Sequence, residues 1–227
     1  MTRMTDIVLD FHAHVLPGVD HGSDSVETSL YQLSEAKKCG VKHIFATSHF
    51  YPSRHSVDSF ISLRNEAFSR LSEKLEEGHP KLHLGAEVLL CDGIDTMPGL
   101  SKLLIEGTST LLLELPSADF SKSYGDIVYS LVRGGVDVVL AHAERYREEH
   151  IDFLVQNGAR LQINASSLCG WFIPASIRRW MLDGHVVAVG SDIHMRDSKA
   201  YKHFRTAEKR IQRYISPILE YQKKQIE

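Results

Sequence analysis

The chain has 227 residues, 43% hydrophobic and 24% charged, which suits one globular domain with a sizeable core and excludes disorder, collagen-like repeats and a disulfide scaffold. Lys+Arg 26 against Asp+Glu 29 leave a net charge of -3, so no global positive field draws in nucleic acid or an anionic membrane. The start, Met1 to Asp6, lacks the basic and apolar regions of a signal peptide, no run approaches the ~18 apolar residues of a membrane span, and Cys39, Cys91 and Cys169 never pair as CxxC, so a cytoplasmic protein without membrane insertion is expected.

Short aliphatic runs alternate with helix-like stretches, the pattern of βα units. Ile7 to Phe11 reads as the first strand; Asp24 with Glu27 resembles a capping box, and Val26, Leu30, Leu33 and Ala36 then line one face until Gly40. Lys42 to Thr47 is the second strand, followed by a stripe of Phe60, Leu63, Ala67, Leu71 and Leu75 that stops at Gly78 and Pro80. Leu82 to Glu87 and Thr110 to Leu115 are the third and fourth strands, and Ile127, Val128 and Leu131 mark a helix before Gly134-Gly135. Val136 to Ala141, a helix with Ile151, Leu154 and Val155, and Arg160 to Asn164 follow. Pro174 opens a helix closed by Gly184, Val186 to Gly190 is the seventh strand, and Ala207, Ile211, Ile215 and Leu219 face inward from a last helix. Residues after Ser216 read as a solvated helical tail. No linker or repeat divides the chain, so residues 1–227 form a single domain in this reading, and seven βα steps suggest a barrel one unit short of the TIM barrel.

The 13 histidines invite a metal or acid/base role, yet an HxH pair arises by chance roughly 0.7 times at this composition, so position must discriminate. In a β/α barrel chemistry belongs at the C-terminal strand ends. Six of the seven strands end there in a His, Asp or Glu: His12 and His14, His49, Glu87, Glu114, His142, and Asp192 with His194. His43, His79, His83 and His185 fall at the other rim or the surface, which makes Asp183-Gly184-His185 a coincidental copy of Asp192-Ile193-His194; His55, His150 and His203 are solvated in this reading. Five histidines and three carboxylates on one rim would cost several kcal/mol unless cations balance them. Mixed imidazole and carboxylate ligation suits Mn, Fe or Zn, and eight donors imply two or three clustered ions, an arrangement that activates water and clamps the oxygens of a phosphoester.

These residues, in order, resemble the polymerase-and-histidinol-phosphatase (PHP) superfamily. The phrases "LPGVDHG", "LLLELP", "AHAERYRE", "QINASSLCG" and "GSDIH" are similar to the bacterial PHP-type protein tyrosine phosphatases of capsule and exopolysaccharide operons, from Asp10 to about Phe204. The resemblance implies an α/β fold of the distorted seven-stranded (β/α)7 TIM-like type and a trinuclear, usually Mn2+-dependent centre. It implies a phosphotyrosine protein substrate, a bacterial tyrosine kinase that regulates polysaccharide export. By resemblance the ligands are His12, His14, His49, Glu87, Glu114, His142, Asp192 and His194, with Glu87 bridging two ions. The family's ninth ligand, an aspartate before a glycine, is replaced here by His21 in Asp20-His21-Gly22, leaving His21 or Asp20 to serve as ligand or as general acid. Arg145 is the candidate for holding phosphoryl oxygens bidentately, with Asp192 and His194 beside it in the catalytic set; Lys199, five positions after His194, is a second basic candidate. The loop Phe50-Tyr51-Pro52-Ser53-Arg54 departs from the family and shapes substrate entry.

A cysteine phosphatase needs Arg six residues after Cys, but Cys39, Cys91 and Cys169 are followed there by Phe45, Met97 and Ala175. A small-molecule phosphatase, such as one for histidinol phosphate, and a non-catalytic metal-binding partner of the polysaccharide machinery are the alternatives.

Overall fold

The computed structural model describes residues 7–117 and 120–226. It is a mixed α/β fold with parallel strands. The strands are β1 (Leu9–Ala13), β2 (His43–Ala46), β3 (His49–Phe50), β4 (Lys81–Leu84), β5 (Glu87–Leu89), β6 (Thr110–Glu114), β7 (Asp137–Leu140), β8 (Arg160–Asn164) and β9 (Val186–Gly190). The α-helices are α1 (Val26–Lys38), α2 (Val57–Ser72), α3 (Ser123–Arg133), α4 (Glu148–Gln156), α5 (Ala175–Leu182), α6 (Ala200–Arg210) and α7 (Ile215–Ile226).

Hydrogen bonding divides the strands into a sheet of order β1-β2-β4 and one of order β3-β5-β6-β7-β8-β9. Nine segments stand where seven strands are expected, because the second and third each break in two. The breaks fall at Thr47-Ser48 and Gly85-Ala86, and the backbone re-pairs beyond them, His49 opposite Glu87 and Glu87 opposite Leu112. β1 carries a register shift between Asp10 and Ala13. Beyond the strand ends, Asp192 N donates to His12 O at 2.8 Å and His14 N to Ile193 O at 3.3 Å, which brings the first and last strands together at the same end.

Two apolar clusters form the core. Leu9, Phe11, Phe45, Leu112, Val139 and Ala188 pack with Tyr221 of α7; a larger cluster joins the helix stripes, such as Leu33 and Ala36 of α1 and Phe60 and Leu71 of α2, to the strands. Burial of this kind, at about 25 cal/mol per Å2, drives the assembly.

Several expectations change. The α1 N-cap is Ser25, not Asp24: Ser25 Oγ accepts from Thr28 N at 3.2 Å, while Asp24 braces the Thr28 and Ser25 hydroxyls at 2.6 and 3.1 Å. No α-helix joins β5 to β6; two short 3-10 turns, Ile94–Thr96 and Leu100–Leu103, make the connection. The last helix is two, α6 and α7, separated by a 3-10 turn at Gln212–Tyr214. The tail after Ser216 is not a solvated end. Ile218, Tyr221 and Gln222 are buried, and Gln222 Oε1 accepts from Val8 N and Leu9 N, both at 2.9 Å, satisfying the start of β1. Among the described residues no helix is long and apolar enough to cross a membrane.

Candidate metal centre

Glu87 is the hub. Fully buried at the first residue of β5, it lies within reach of four imidazoles: His142 Nε2 at 2.8 Å from Oε1, and His49 Nδ1 at 3.0 Å, His12 Nε2 at 3.1 Å and His14 Nε2 at 3.2 Å from Oε2. Asp192 Oδ1 is 3.5 Å from His14 Nε2, 3.5 Å from His194 Nδ1 and 3.7 Å from His12 Nε2. Glu114, at the end of β6, adds Oε2 at 3.4 Å from His49 and Oε1 at 3.7 Å from His142. All eight strand-end residues therefore converge. His21 joins by ring stacking, 4.8 Å from His49 and 4.6 Å from His194, and is exposed.

The donor chemistry fits cations. His12 Nε2 and His14 Nε2 face each other at 3.0 Å. Glu87 Oε2, His49 Nδ1 and His194 Nε2 are buried without a hydrogen bond of acceptable geometry, despite the short approach of the first two. Buried polar atoms left in this way are costly, and a bound cation would satisfy them. Three groups offer donor atoms within 4.8 Å of one another: His14, His49 and His194; His12, His14 and Glu87; His49, Glu87 and Glu114.

The protonation states suit ligation. Burial opposes ionisation of Glu87, but the charge of His12 and hydrogen bonds from His12, His14 and His142 hold its carboxyl well below the usual range. Burial, then the positive charge of His14, lowers His194 to about 4, leaving it neutral near pH 7. Asp192, likewise buried, is held below the carboxylate range by His12, His14 and Arg145.

A second layer orients these groups, and sequence reasoning missed most of it. Of the seven strands read from the sequence, the one without a His, Asp or Glu at its end is Arg160 to Asn164, now β8, yet it supplies two buried amides. Gln162 Oε1 lies 3.2 Å from His12 Nδ1 and accepts from His142 N at 2.7 Å; its Nε2 donates to Asn164 Oδ1 at 2.9 Å, and Asn164 Nδ2 donates to Asp192 Oδ2 at 2.9 Å. Two buried polar residues at i and i+2, alternating with the apolar Leu161 and Ile163, were the available signal. Asp20 serves similarly. Its Oδ2 is 2.7 Å from His14 Nδ1 and accepts from His49 N at 2.9 Å, and its Oδ1 accepts from Gly22 N at 2.8 Å. Although burial works against it, the His14 charge and these bonds favour the ionised carboxyl, and they place Asp20 to orient the His14 ring.

Backbone shape is specialised here too. Among the described residues, non-glycine φ values are positive only at His142 (31°), Asp192 (50°) and Met195 (49°), and such strain concentrates at functional positions. A Cβ at Gly22 would meet His14 Cβ at 2.1 Å, and one at Gly190 would meet His12 Cβ at 2.6 Å, so both glycines make room for imidazoles.

Arg145, in a 3-10 turn (Ala143–Arg145) after β7, donates to Asp192 Oδ2 and is 53% exposed. Lys199 is an exposed residue at the N-cap of α6 and its backbone N donates to Asp197. His43 and His83 pair with each other, Nδ1 to Nε2 at 3.1 Å, away from the centre. His150, expected in solvent, stacks on Phe120 at 4.0 Å and lines a cleft of about 1210 Å3 that opens from Glu114 and His142.

The model of the family described as "Capsular polysaccharide synthesis, CpsB/CapC" matches residues 8–221. CapC of Staphylococcus aureus is 30% identical over 200 residues, 82% of this chain and 77% of the relative; the tyrosine-protein phosphatase YwqE of Bacillus subtilis (strain 168) is 28% identical over 173 residues, 73% and 67%. A crystal structure described with YwqE of Bacillus subtilis and CpsB of Streptococcus pneumoniae, metal-dependent tyrosine phosphatases, superposes with a TM-score of 0.76 at 22% identity, covering 93% of this chain and 90% of the other.

Proposed function

We propose, from the premise that this chain belongs to the CpsB/CapC family of capsular polysaccharide synthesis, that it is a metal-dependent protein-tyrosine phosphatase. The observation that carries the reading is the convergence of five imidazoles and three carboxylates on one centre, four of the imidazoles on Glu87, with buried donor atoms that cations would satisfy. His12, His14, Glu87, Asp192, His49, Glu114, His142 and His194 would hold the ions, His21 standing beside the group of His14, His49 and His194. The mixed donor set suits Mn, Fe or Zn in two or three positions, and Mn2+ is the ion that the family resemblance implies. Bound there, the ions supply an activated water nucleophile at neutral pH and neutralise charge developing on the phosphoryl oxygens.

The chain's own residues do the rest. Gln162, Asn164 and Asp20 fix the orientation of His12, Asp192 and His14. Arg145, held beside the centre by Asp192, presents a fork of N–H donors that matches two phosphoryl oxygens and gains strength as their charge grows. Lys199 is a weaker second basic contact. The phenolate leaving group has a free pKa near ~10 and departs without a strong acid.

The finer readings rest on the same premise. The substrate is the phosphotyrosine of a bacterial tyrosine kinase that governs capsule or exopolysaccharide export. Counting β2 with β3 and β4 with β5 makes one distorted seven-stranded β/α barrel, a reading supported by the bonds between the ends of β1 and β9. A core cluster running from Ile7 to Ile218 supports a single domain, and three unpaired thiols suit the cytoplasm.

The test is to measure bound metals and assay a phosphotyrosine peptide, histidinol phosphate and a generic aryl phosphate with and without Mn2+. Metal-dependent turnover is expected, with the peptide preferred; none on any of the three sinks the enzyme reading, and preference for histidinol phosphate overturns the substrate. His14→Ala and Asp192→Ala abolish activity, Arg145→Ala costs on the order of 10²-fold, and His185→Ala leaves it intact.

A further inference from the structure

The hydrolytic reading leaves the walls of the cleft unused. Two tyrosines stand on two imidazoles of the centre: the Tyr51 ring stacks on His49 at 5.1 Å and 17°, and the Tyr146 ring lies 5.7 Å from His142. Tyr146 is pinned by donation of its hydroxyl to Leu115 O at 3.1 Å. Both line the same cleft as Glu114. At about 1210 Å3 the cleft exceeds the few hundred to ~1,000 Å3 that a small ligand fills, so it has room for chain on either side of one residue.

Its charge is the second observation. Arg54, Arg145 and Arg147 line it, against Glu114 as the single acidic lining residue among the described residues, and Glu114 faces inward to His49 and His142. In a chain of net charge -3 this is a local reversal of sign. Arg145 is taken by Asp192. Arg54 lies over the Tyr51 ring, 4.8 Å from its centroid, and makes no ion pair among the described residues; Arg147 meets the exposed Glu149 at 3.3 Å, a solvent-screened pair that a bound carboxylate can displace.

Resting on the phosphotyrosine reading above, we infer that Arg54 and Arg147 are specificity-determining residues that select phosphotyrosines embedded in acidic sequence, with Tyr51 and Tyr146 beside the phenyl ring. A guanidinium matches a carboxylate bidentately, and charge at the rim acts on encounter and KM more than on the chemical step.

The experiment uses the metal-loaded full chain and two phosphotyrosine peptides that differ only in having Glu/Asp or Lys beside the phosphotyrosine, with para-nitrophenyl phosphate as a third substrate. The wild type is expected to favour the acidic peptide about tenfold or more in kcat/KM, a difference that shrinks as salt is raised. The double substitution Arg54→Ala/Arg147→Ala brings the ratio toward one through KM, and Arg54→Glu/Arg147→Glu inverts it. A wild-type ratio near one, or one that survives both double substitutions, overturns the inference while the hydrolase reading stands. Failure of wild type to turn over even para-nitrophenyl phosphate defeats the hydrolase reading instead. The salt arm needs no variant, so a double mutant that fails to fold leaves the test intact.

Discussion

His12 and His142 are held by one amide. Gln162 Oε1 meets His12 Nδ1 and the His142 backbone N–H, so its removal frees an imidazole on one side and leaves a buried donor unpaired on the other. Gln162→Ala is therefore expected to weaken metal binding by about 10- to 100-fold, read by metal titration in a competitive chelator; unchanged affinity would show that the histidines orient without it. The imidazoles and carboxylates themselves were legible in the sequence, because each ends an aliphatic run. Gln162 and Asn164 were not, because a neutral amide in a strand carries no chemistry until its neighbours across the sheet are known. His21 and Asp20 show the same limit: which one points inward depends on the turn, and here Asp20 bonds His14 while the His21 ring lies exposed on His49 and His194.

Elements carry their own predictions. α7 closes the start of β1 through Gln222. Gln222→Met keeps the side-chain volume but removes the acceptor from two backbone N–H groups, and should cost about 2 kcal/mol, seen as a lower urea midpoint at unchanged m-value. This contact joins residues more than two hundred positions apart, which is why a polar, lysine-bearing tail reads as solvated. His43, which opens β2, and His83, the third residue of β4, share a contact of 3.1 Å that admits one proton between the facing nitrogens. Burial first, then Lys81 and Lys42, lowers His43; burial, then His43 and Lys81, lowers His83. With folded values below the unfolded ~6.5, the unfolded chain binds more protons, so stability is full above about pH 6.5 and falls as pH drops through the folded values. His83→Asn should flatten that part of the stability profile between pH 7 and 5 relative to wild type; identical slopes would remove the pair from the account.

For the molecule as a whole, ions held at the proposed centre would add stability as well as chemistry. Its donors come from β1, β3, β5, β6 and the turns after β7 and β9, so ions bound there cross-link both sheets, and binding to the folded form alone adds RT ln(1 + [L]/Kd). Chelation should lower Tm by several degrees, restored by Mn2+ but not by Mg2+, which prefers oxygen donors; a Tm indifferent to chelator would mean that the groups pair without ions.

The sequence by itself determined the alternation of strands and helices, the rim on which chemistry falls, the donor set and, through its resemblance, the family, because all of these depend on local periodicity and on side-chain type. Only the tertiary structure decided where the second and third strands break, that α7 is packed in the core, that Gln162, Asn164 and Asp20 aim the ligands, and that Arg145 pairs with Asp192. Those features arise from contacts between residues far apart in the chain, whose energies exist only once the backbone has brought them within hydrogen-bond reach.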